Sequence, residues 1–291
     1  MKIGVILDSF RLPFFEALTA ASKLGVEGIQ FYARSLLPAG TPGDFNLLEA
    51  DDDSIAACKK ACDEAGLVIT AVCGDVFELS FQVEKETMLR AEALKNVVDR
   101  AHKLGVGIIT THIGHVPEST EDPVFDVMVK GVREAAEYAA SKGCCFAIET
   151  GPELACVLKN FIETVNSPGL KVNLDPANLR GVSGEDPVFA AETLGPYLVH
   201  THGKDAIMTH PGSAASFYKL RNTDGSYRKI AARPAGFQEV PLGEGQVPWE
   251  PYIAALKKAG FDGFITIERE CGDDPAADIA AAVDFLKARI K

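Results

Sequence analysis

The sequence predicts a (β/α)8 barrel that occupies residues 1–291 as a single domain. The first observation is an alternation of short apolar runs with longer segments of helical periodicity, which continues along the whole chain. Such alternation is typical of parallel strands joined by right-handed helical crossovers, and eight units close into a barrel. The second observation is the segment Asp8–Pro13, read DSFRLP, which follows the first strand. An open doubly wound sheet would carry a glycine-rich phosphate loop there, so the barrel is the better prediction.

Each predicted strand is a short apolar run followed by a turn or a polar residue. The eight strands are predicted at Lys2–Asp8, Gly28–Tyr32, Leu67–Cys73, Gly107–His112, Cys145–Glu149, Lys171–Asp175, Leu198–Asp205 and Gly263–Glu268. The segments between them have apolar residues at near-helical spacing, and several end at a glycine that suits a helix C-cap. Helices are predicted at Pro13–Leu24, Asp52–Ala65, Lys85–Leu104, Asp122–Lys142, Leu154–Val165, Pro187–Leu194 and Pro275–Arg289.

One connection is much longer than the others. Residues Ala206–Val247, after the seventh strand, are rich in glycine, proline and charge. We therefore predict a long loop after strand seven. Because the active sites of such barrels lie at the carboxyl ends of the strands, this loop is expected to reach over the site or onto a neighbouring subunit.

Composition excludes several kinds of partner. The net charge of −12 argues against nucleic-acid binding, which needs a basic surface. No segment approaches the roughly 18 consecutive apolar residues of a membrane-spanning helix. The seven cysteines are odd in number and include no CxxC motif, which is typical of reduced thiols in a cytoplasmic protein. We therefore predict a cytoplasmic protein without nucleic-acid or membrane partners.

Polar side chains end the last four predicted strands. The fifth, sixth and eighth strands end at Glu149, Asp175 and Glu268, and the seventh, read LVHTHGKD, carries His200 and His202 on one face. Alternate residues of a strand face opposite sides, so each of these strands has an apolar back and a polar front. In a barrel these four strands are neighbours. We therefore expect Glu149, Asp175, His202 and Glu268 to converge over one side of the barrel mouth.

A metal ion would explain this convergence. Three carboxylates at short range repel one another unless a cation lies among them. Three carboxylates with one imidazole suit a single divalent metal such as Mn²⁺, Mg²⁺, Co²⁺ or Zn²⁺. The prediction depends on the barrel, because each ligand comes from a separate strand and the sequence has no HExxH motif.

Four motifs resemble those of the sugar phosphate isomerase/epimerase family. They are NLDPANL (Asn173–Leu179), HTHGKD (His200–Asp205), PLGEGQVPW (Pro241–Trp249) and ITIERE (Ile265–Glu270). This family belongs to the xylose isomerase-like TIM barrels, with tagatose and psicose 3-epimerases, inosose dehydratases, hydroxypyruvate isomerases and endonuclease IV. The resemblance implies that Glu149, Asp175, His202 and Glu268 bind one catalytic divalent cation. It also implies that Glu149 and Glu268 are acid/base residues on opposite faces of the substrate.

The chemistry of such a site is consistent with this resemblance. A metal that holds a carbonyl and a neighbouring hydroxyl stabilises the enediolate formed when a carboxylate removes the adjacent proton. A second carboxylate returns a proton to the same carbon, which gives an epimer, or to the next carbon, which gives an isomer. The sequence leaves both outcomes open. We therefore predict a metal-dependent isomerase or epimerase of a keto-sugar or sugar phosphate, with manganese among the candidate metals.

Three other functions compete with this one. A dehydratase or lyase of a keto-inositol or keto-sugar would use the same site but lose hydroxide after proton removal. An endonuclease IV-type enzyme would need a three-metal cluster with more histidines, which six histidines and a charge of −12 fit poorly. A sugar-binding barrel without activity would have to bury three carboxylates at considerable cost.

The substrate-binding residues are predicted from the strand ends and from departures from the family pattern. The 3-epimerases carry a histidine where this chain has Asn178, and an arginine where it has Met208. We predict Asn178, Lys204 and His112 as substrate-binding residues. Lys204 could bind a phosphate, a carboxylate or an enediolate oxygen, or form a salt bridge to a metal-binding carboxylate. His112 could contact substrate or orient Glu149. Analogy with similar barrels suggests a homodimer or homotetramer.

Overall fold

The computed structural model describes residues 1–75 and 78–290, so positions 76, 77 and 291 of the predicted domain lie outside the described residues. The strands are β1 (Lys2–Ile6), β2 (Gly28–Tyr32), β3 (Val68–Cys73), β4 (Ile108–Thr111), β5 (Cys145–Glu149), β6 (Leu170–Leu174), β7 (Leu198–Gly203), β8 (Asp205–His210), β9 (Gly236–Val240) and β10 (Phe264–Ile267). Eight of them are parallel and form a closed barrel in the order β1-β10-β7-β6-β5-β4-β3-β2, while β8 and β9 form a separate antiparallel pair. The predicted barrel is therefore confirmed.

Helices alternate with the barrel strands. They are α1 (Phe14–Ser22), α2 (Asp52–Glu64), α3 (Glu84–Leu104), α4 (Pro123–Ser141), α5 (Ala155–Val165), α6 (Pro176–Asn178), α7 (Pro187–Leu194), α8 (Ala214–Phe217), α9 (Trp249–Lys258) and α10 (Pro275–Lys287). Helices α4, α7 and α10 begin in the same way: an aspartate side chain accepts a backbone N–H, and proline follows it. In the described part of the chain, no helix has the length and apolar character needed to cross a membrane.

The interior of the barrel contains a layer of hydrogen-bonded polar side chains below the strand ends. Gln30 donates to Thr110 Oγ1 at 3.2 Å, and its Oε1 lies 2.7 Å from His200 Nε2. Burial lowers the pKa of His200 to about 3, so this imidazole is neutral. The apolar core lies outside this layer, between the strands and the helices, where residues such as Phe31 and Phe146 are fully buried. Gln30 Oε1 also lies 3.4 Å from His202 Nε2, so this layer contacts a side chain at the barrel mouth.

The insertion after β7 is more ordered than a long loop. The predicted seventh strand, Leu198–Asp205, is wrong at its end, because β7 stops at Gly203 and Asp205 begins β8. The Asp205 carboxylate accepts N–H groups from Gly243, Val247 and the Trp249 indole at 2.9–3.1 Å. It thereby joins the two ends of the insertion. Gly245 permits this contact, since a Cβ there would lie 2.0 Å from Asp205 Oδ1.

Candidate active site

The four polar strand ends lie together at the mouth of the barrel. Glu149 ends β5, Asp175 follows β6, His202 lies in β7 and Glu268 follows β10. One potential ligand atom from each residue lies within 4.8 Å of all the others. All four side chains are buried, with at most 6% of Glu268 exposed. The order of neighbours in the barrel, β5-β6-β7-β10, explains why residues so distant in sequence come together.

Two of these residues present buried atoms without a partner. His202 Nδ1 lies 3.2 Å from Glu268 Oε2, 3.4 Å from Asp175 Oδ2 and 3.6 Å from Glu149 Oε1. Neither His202 Nδ1 nor Asp175 Oδ2 makes a hydrogen bond. Unsatisfied buried polar atoms are costly, and a divalent cation would pair with both. Three carboxylates and an imidazole are suitable donors, so these four residues can hold a metal ion.

The charges within the site are strongly coupled. Burial alone would raise the pKa of Glu149, but the His112 and His202 imidazoles outweigh it and lower that pKa well below its usual value. Burial likewise opposes ionisation of Glu268, yet Lys204 and His202 lower its pKa to about 2. Both glutamates are therefore carboxylates at neutral pH, the form that can bind a cation or accept a proton.

Several donors hold the Glu149 carboxylate in place. Asn178 Nδ2 donates to Oε1 at 3.1 Å, and Asn173 Nδ2 donates to Oε2 at 3.3 Å. His112 Nε2 lies 3.3 Å from Oε1. The backbone of Asn178 also donates to Asp175 Oδ1 at 2.8 Å. Two of the predicted substrate-binding residues, Asn178 and His112, therefore contact a glutamate of the site directly.

A buried aspartate fixes His112. Asp75 Oδ1 accepts the backbone N–H of His112 and the Thr111 hydroxyl, both at 2.8 Å, while its Oδ2 lies 2.9 Å from His112 Nδ1. The Arg90 guanidinium donates to the carbonyl oxygens of His112 and Leu79. This arrangement orients the other imidazole nitrogen, Nε2, toward Glu149. Sequence reasoning missed Asp75 and Arg90. Asp75 was detectable, because it lies two residues beyond the end of the third strand.

Lys204 forms the ion pair that was one of its two predicted alternatives. Its ammonium group donates to Glu268 Oε2 at 2.9 Å and also contacts the Glu270 carboxylate. The side chain is only 4% exposed, and Asp175 Oδ2 lies 4.0 Å away. Burial opposes its charge, but Glu268 and Asp175 raise the pKa of Lys204 well above its usual value. Lys204 is therefore a fixed cation beside Glu268.

A cavity of about 170 Å³, here called the reaction cavity, opens onto this cluster. Its lining includes Glu149, Glu268 and the three predicted substrate-binding residues, His112, Asn178 and Lys204. The insertion after β7 supplies three further side chains, which sequence reasoning did not identify. They are Phe217, Tyr218 and Phe237. The predicted reach of this insertion over the site is therefore confirmed.

Comparison with known proteins identifies the family. Residues 18–289 match the profile of the xylose isomerase-like TIM barrels. The chain belongs to this family. It is 25% identical to the uncharacterized protein YfiH of Bacillus subtilis (strain 168), with 100% of this chain and 99% of YfiH covered. It is 22% identical to the L-ribulose-5-phosphate 3-epimerase UlaE of Escherichia coli (strain SMS-3-5 / SECEC), with 95% and 90% covered.

A solved structure agrees with this assignment. A xylose isomerase domain protein from Planctomyces limnophilus matches with a TM-score of 0.74 and 27% identity, over 99% of this chain and 95% of that one. The relatives and structural neighbours of the chain include sugar epimerases, and the chain is an enzyme. The resemblance read from the four sequence motifs is confirmed.

Proposed function

We propose that this enzyme is a divalent-metal-dependent epimerase or isomerase of a keto-sugar or sugar phosphate. One observation carries the proposal. Two glutamates, Glu149 and Glu268, face one small cavity and lie within 4.8 Å of a buried aspartate and histidine that have unpaired ligand atoms. Proton transfer next to a carbonyl is favoured by a cation that polarises the carbonyl and by two carboxylates that take and return the proton. The four residues of this cluster are suited to hold the cation, and Glu149 and Glu268 are suited to move the proton.

Glu149, Asp175, His202 and Glu268 would hold the metal. When bound, a divalent cation supplies Lewis-acid stabilisation of the negative charge that develops on substrate oxygens. Carboxylate and imidazole donors suit Mn²⁺, Mg²⁺, Co²⁺ and Zn²⁺ alike.

The two glutamates have different surroundings that fit complementary roles. Glu149 is held by two side-chain amides and by His112, whereas Glu268 is held by the Lys204 ammonium group. One carboxylate takes the proton from the carbon beside the carbonyl, and the bonding electrons move onto the carbonyl oxygen. The other glutamate, after taking a proton from solvent, gives that proton to the substrate. Delivery to the opposite face of the same carbon, as the carbonyl re-forms, gives an epimer. Delivery to the former carbonyl carbon, while the hydroxyl on the first carbon passes its proton to the former carbonyl oxygen, gives an isomer.

Substrate contacts are proposed for His112, Asn178 and Lys204, which line the reaction cavity. The amide of Asn178 can bind a hydroxyl as donor or acceptor. Lys204 can donate its remaining proton to a substrate oxygen while it holds Glu268. The related UlaE is named for its action on L-ribulose 5-phosphate, so a keto-pentose phosphate is the first substrate to test.

Isotope exchange tests the proposal. Metal-loaded enzyme is incubated with L-ribulose 5-phosphate or a free ketose in D2O, and the recovered sugar is examined by NMR. We expect solvent deuterium in the recovered sugar together with an epimer or isomer. Glu268→Gln, assayed at a metal concentration shown to occupy its site, should abolish exchange, whereas Glu244→Gln, at an exposed glutamate of the insertion, should not. An unsaturated product formed by loss of water would instead support the dehydratase, and exchange that survives Glu268→Gln would exclude the proposed role of Glu268.

A further inference from the structure

A second cavity adjoins the reaction cavity. It has a volume of about 450 Å³ and is here called the distal cavity. The two cavities share His112, Glu149 and Tyr218 in their linings, so they are neighbours along this edge of the barrel mouth. The distal cavity lies between the loops after β3 and β4 and the insertion after β7. A substrate with its reacting carbons at Glu149 can therefore extend into it.

The distal cavity is lined by three cations. They are Arg90, Lys219 and Arg221, and the only carboxylate among its described lining residues is Glu149, which already has three partners. The chain as a whole has a net charge of −12. Ser80 and Gln82 add neutral hydrogen-bonding groups to the same lining.

The three cations differ in how firmly they are held. Arg90 is 6% exposed: its terminal nitrogens donate to the carbonyl oxygens of Leu79 and His112, and its buried Nε makes no hydrogen bond. Arg221 is paired with Glu86 through two contacts of 3.0 and 3.4 Å. Lys219 is exposed, forms no ion pair among the described residues, and has a backbone φ of 50°, in the left-handed region. The insertion thus holds an unpaired ammonium group at the edge of the cavity, next to Tyr218 of the reaction cavity.

We propose that the distal cavity binds an anionic group, a phosphate or a carboxylate, that the substrate carries away from its reacting carbons. The inference rests on the proposed function, which places the reacting carbons in the reaction cavity. Arginine and lysine are suited to oxyanions, through charge-assisted hydrogen bonds that a neutral hydroxyl cannot match. The cations would also attract such a substrate toward an otherwise acidic protein.

Binding measurements test this inference separately from turnover. Isothermal titration calorimetry on manganese-loaded protein compares L-ribulose with L-ribulose 5-phosphate for the phosphate, and D-fructose with D-fructuronate for the carboxylate. We expect one anionic member to bind at least about tenfold more tightly than its neutral partner, as one charge-assisted hydrogen bond allows. Lys219→Met should reduce that preference about tenfold. The matched control is Lys229→Met, because Lys229 is an exposed lysine of the same insertion that does not line the cavity.

Each outcome bears on one of the two proposals. Preferential binding of an anionic member that Lys219→Met weakens and Lys229→Met does not would support the distal site, even if no sugar is turned over. Turnover of a neutral ketose with no preference for its anionic partner would support the proposed function and overturn the anionic site. Equal effects of the two lysine variants, or no binding of any anionic sugar, would also overturn it.

Discussion

The Asp175 carboxylate offers a sharp test of the metal centre because its two oxygens have different roles. Oδ1 accepts the backbone N–H of Asn178 at 2.8 Å, whereas Oδ2 makes no hydrogen bond and lies 3.4 Å from His202 Nδ1. In Asp175→Asn the amide oxygen can keep the bond to Asn178, and the amide nitrogen then replaces Oδ2. That nitrogen is a donor without a free lone pair for a cation. The substitution therefore removes one ligand and one charge with almost no change of shape.

The expected effect is visible in thermal stability. A cation present at 100 times its Kd stabilises the folded wild-type protein by about 2.7 kcal/mol. For 291 residues the entropy of unfolding is about 0.6 kcal/mol/K, so the Tm rises by roughly 4 °C. Asp175→Asn should gain less than about 1 °C at the same metal concentration, because its affinity is lower.

Without metal the same variant should be at least as stable as the wild type. Burial raises the pKa of Asp175, Lys204 partly opposes this effect, and the Glu268 carboxylate adds to it. The folded protein therefore disfavours the charged form of Asp175. The neutral amide of Asp175→Asn avoids the free-energy cost of burying that charge. A simple packing defect would lower the Tm instead.

Differential scanning calorimetry of EDTA-treated protein, with and without MnCl2, measures both effects. Asp273→Asn is the control, because Asp273 is an exposed aspartate outside the four-residue cluster. The reasoning is refuted if Asp175→Asn keeps the full metal-induced shift. It is also refuted if Mn²⁺, Mg²⁺, Co²⁺ and Zn²⁺ all fail to stabilise the wild type.

Three further predictions concern residues around the site. Asp75→Asn removes the carboxylate beside His112 Nδ1, so steady-state kinetics should show kcat lowered about tenfold with little change in KM. Glu153 is buried with its Oε1 unpaired, and burial raises its pKa from the ordinary glutamate value of 4.5 to about 8. The folded state therefore binds more protons than the unfolded state between these two pH values, so stability falls as pH rises through this window. Urea denaturation should show a smaller fall for Glu153→Gln. Asp205→Ala removes the acceptor of the Trp249 indole N–H and of the Gly243 and Val247 backbone N–H groups, so fluorescence of Trp249, the one tryptophan, should shift to the red.

Each of these predictions has a result that would contradict it. For Asp75, an unchanged kcat would show that the aspartate does not act through His112. For Glu153, a pH dependence of stability identical in wild type and variant would show that this carboxyl does not titrate with folding. For Asp205, unchanged tryptophan emission and unchanged protease resistance of residues 206–247 would show that the insertion does not depend on this carboxylate.

The sequence by itself determined the barrel and its polar strand ends. Apolar runs and helical periodicity are local properties, and β2 and α7 begin and end at the predicted residues. Alternation within a strand also indicates which side chains share a face, so Glu149, Asp175 and Glu268 could be placed at one end of the barrel from the sequence alone. The closed order of parallel strands then makes them neighbours.

Only the tertiary structure decided how the side chains of different loops pair. The contact of Asp75 with His112, and of His112 with Glu149, joins residues from three neighbouring strand ends, and no periodicity specifies such a pairing. The same holds for the ion pair of Lys204 with Glu268, and for the hairpin of β8 and β9, whose two strands are separated by a long polar segment. Local patterns specify which face a residue occupies, whereas packing in three dimensions specifies what it contacts.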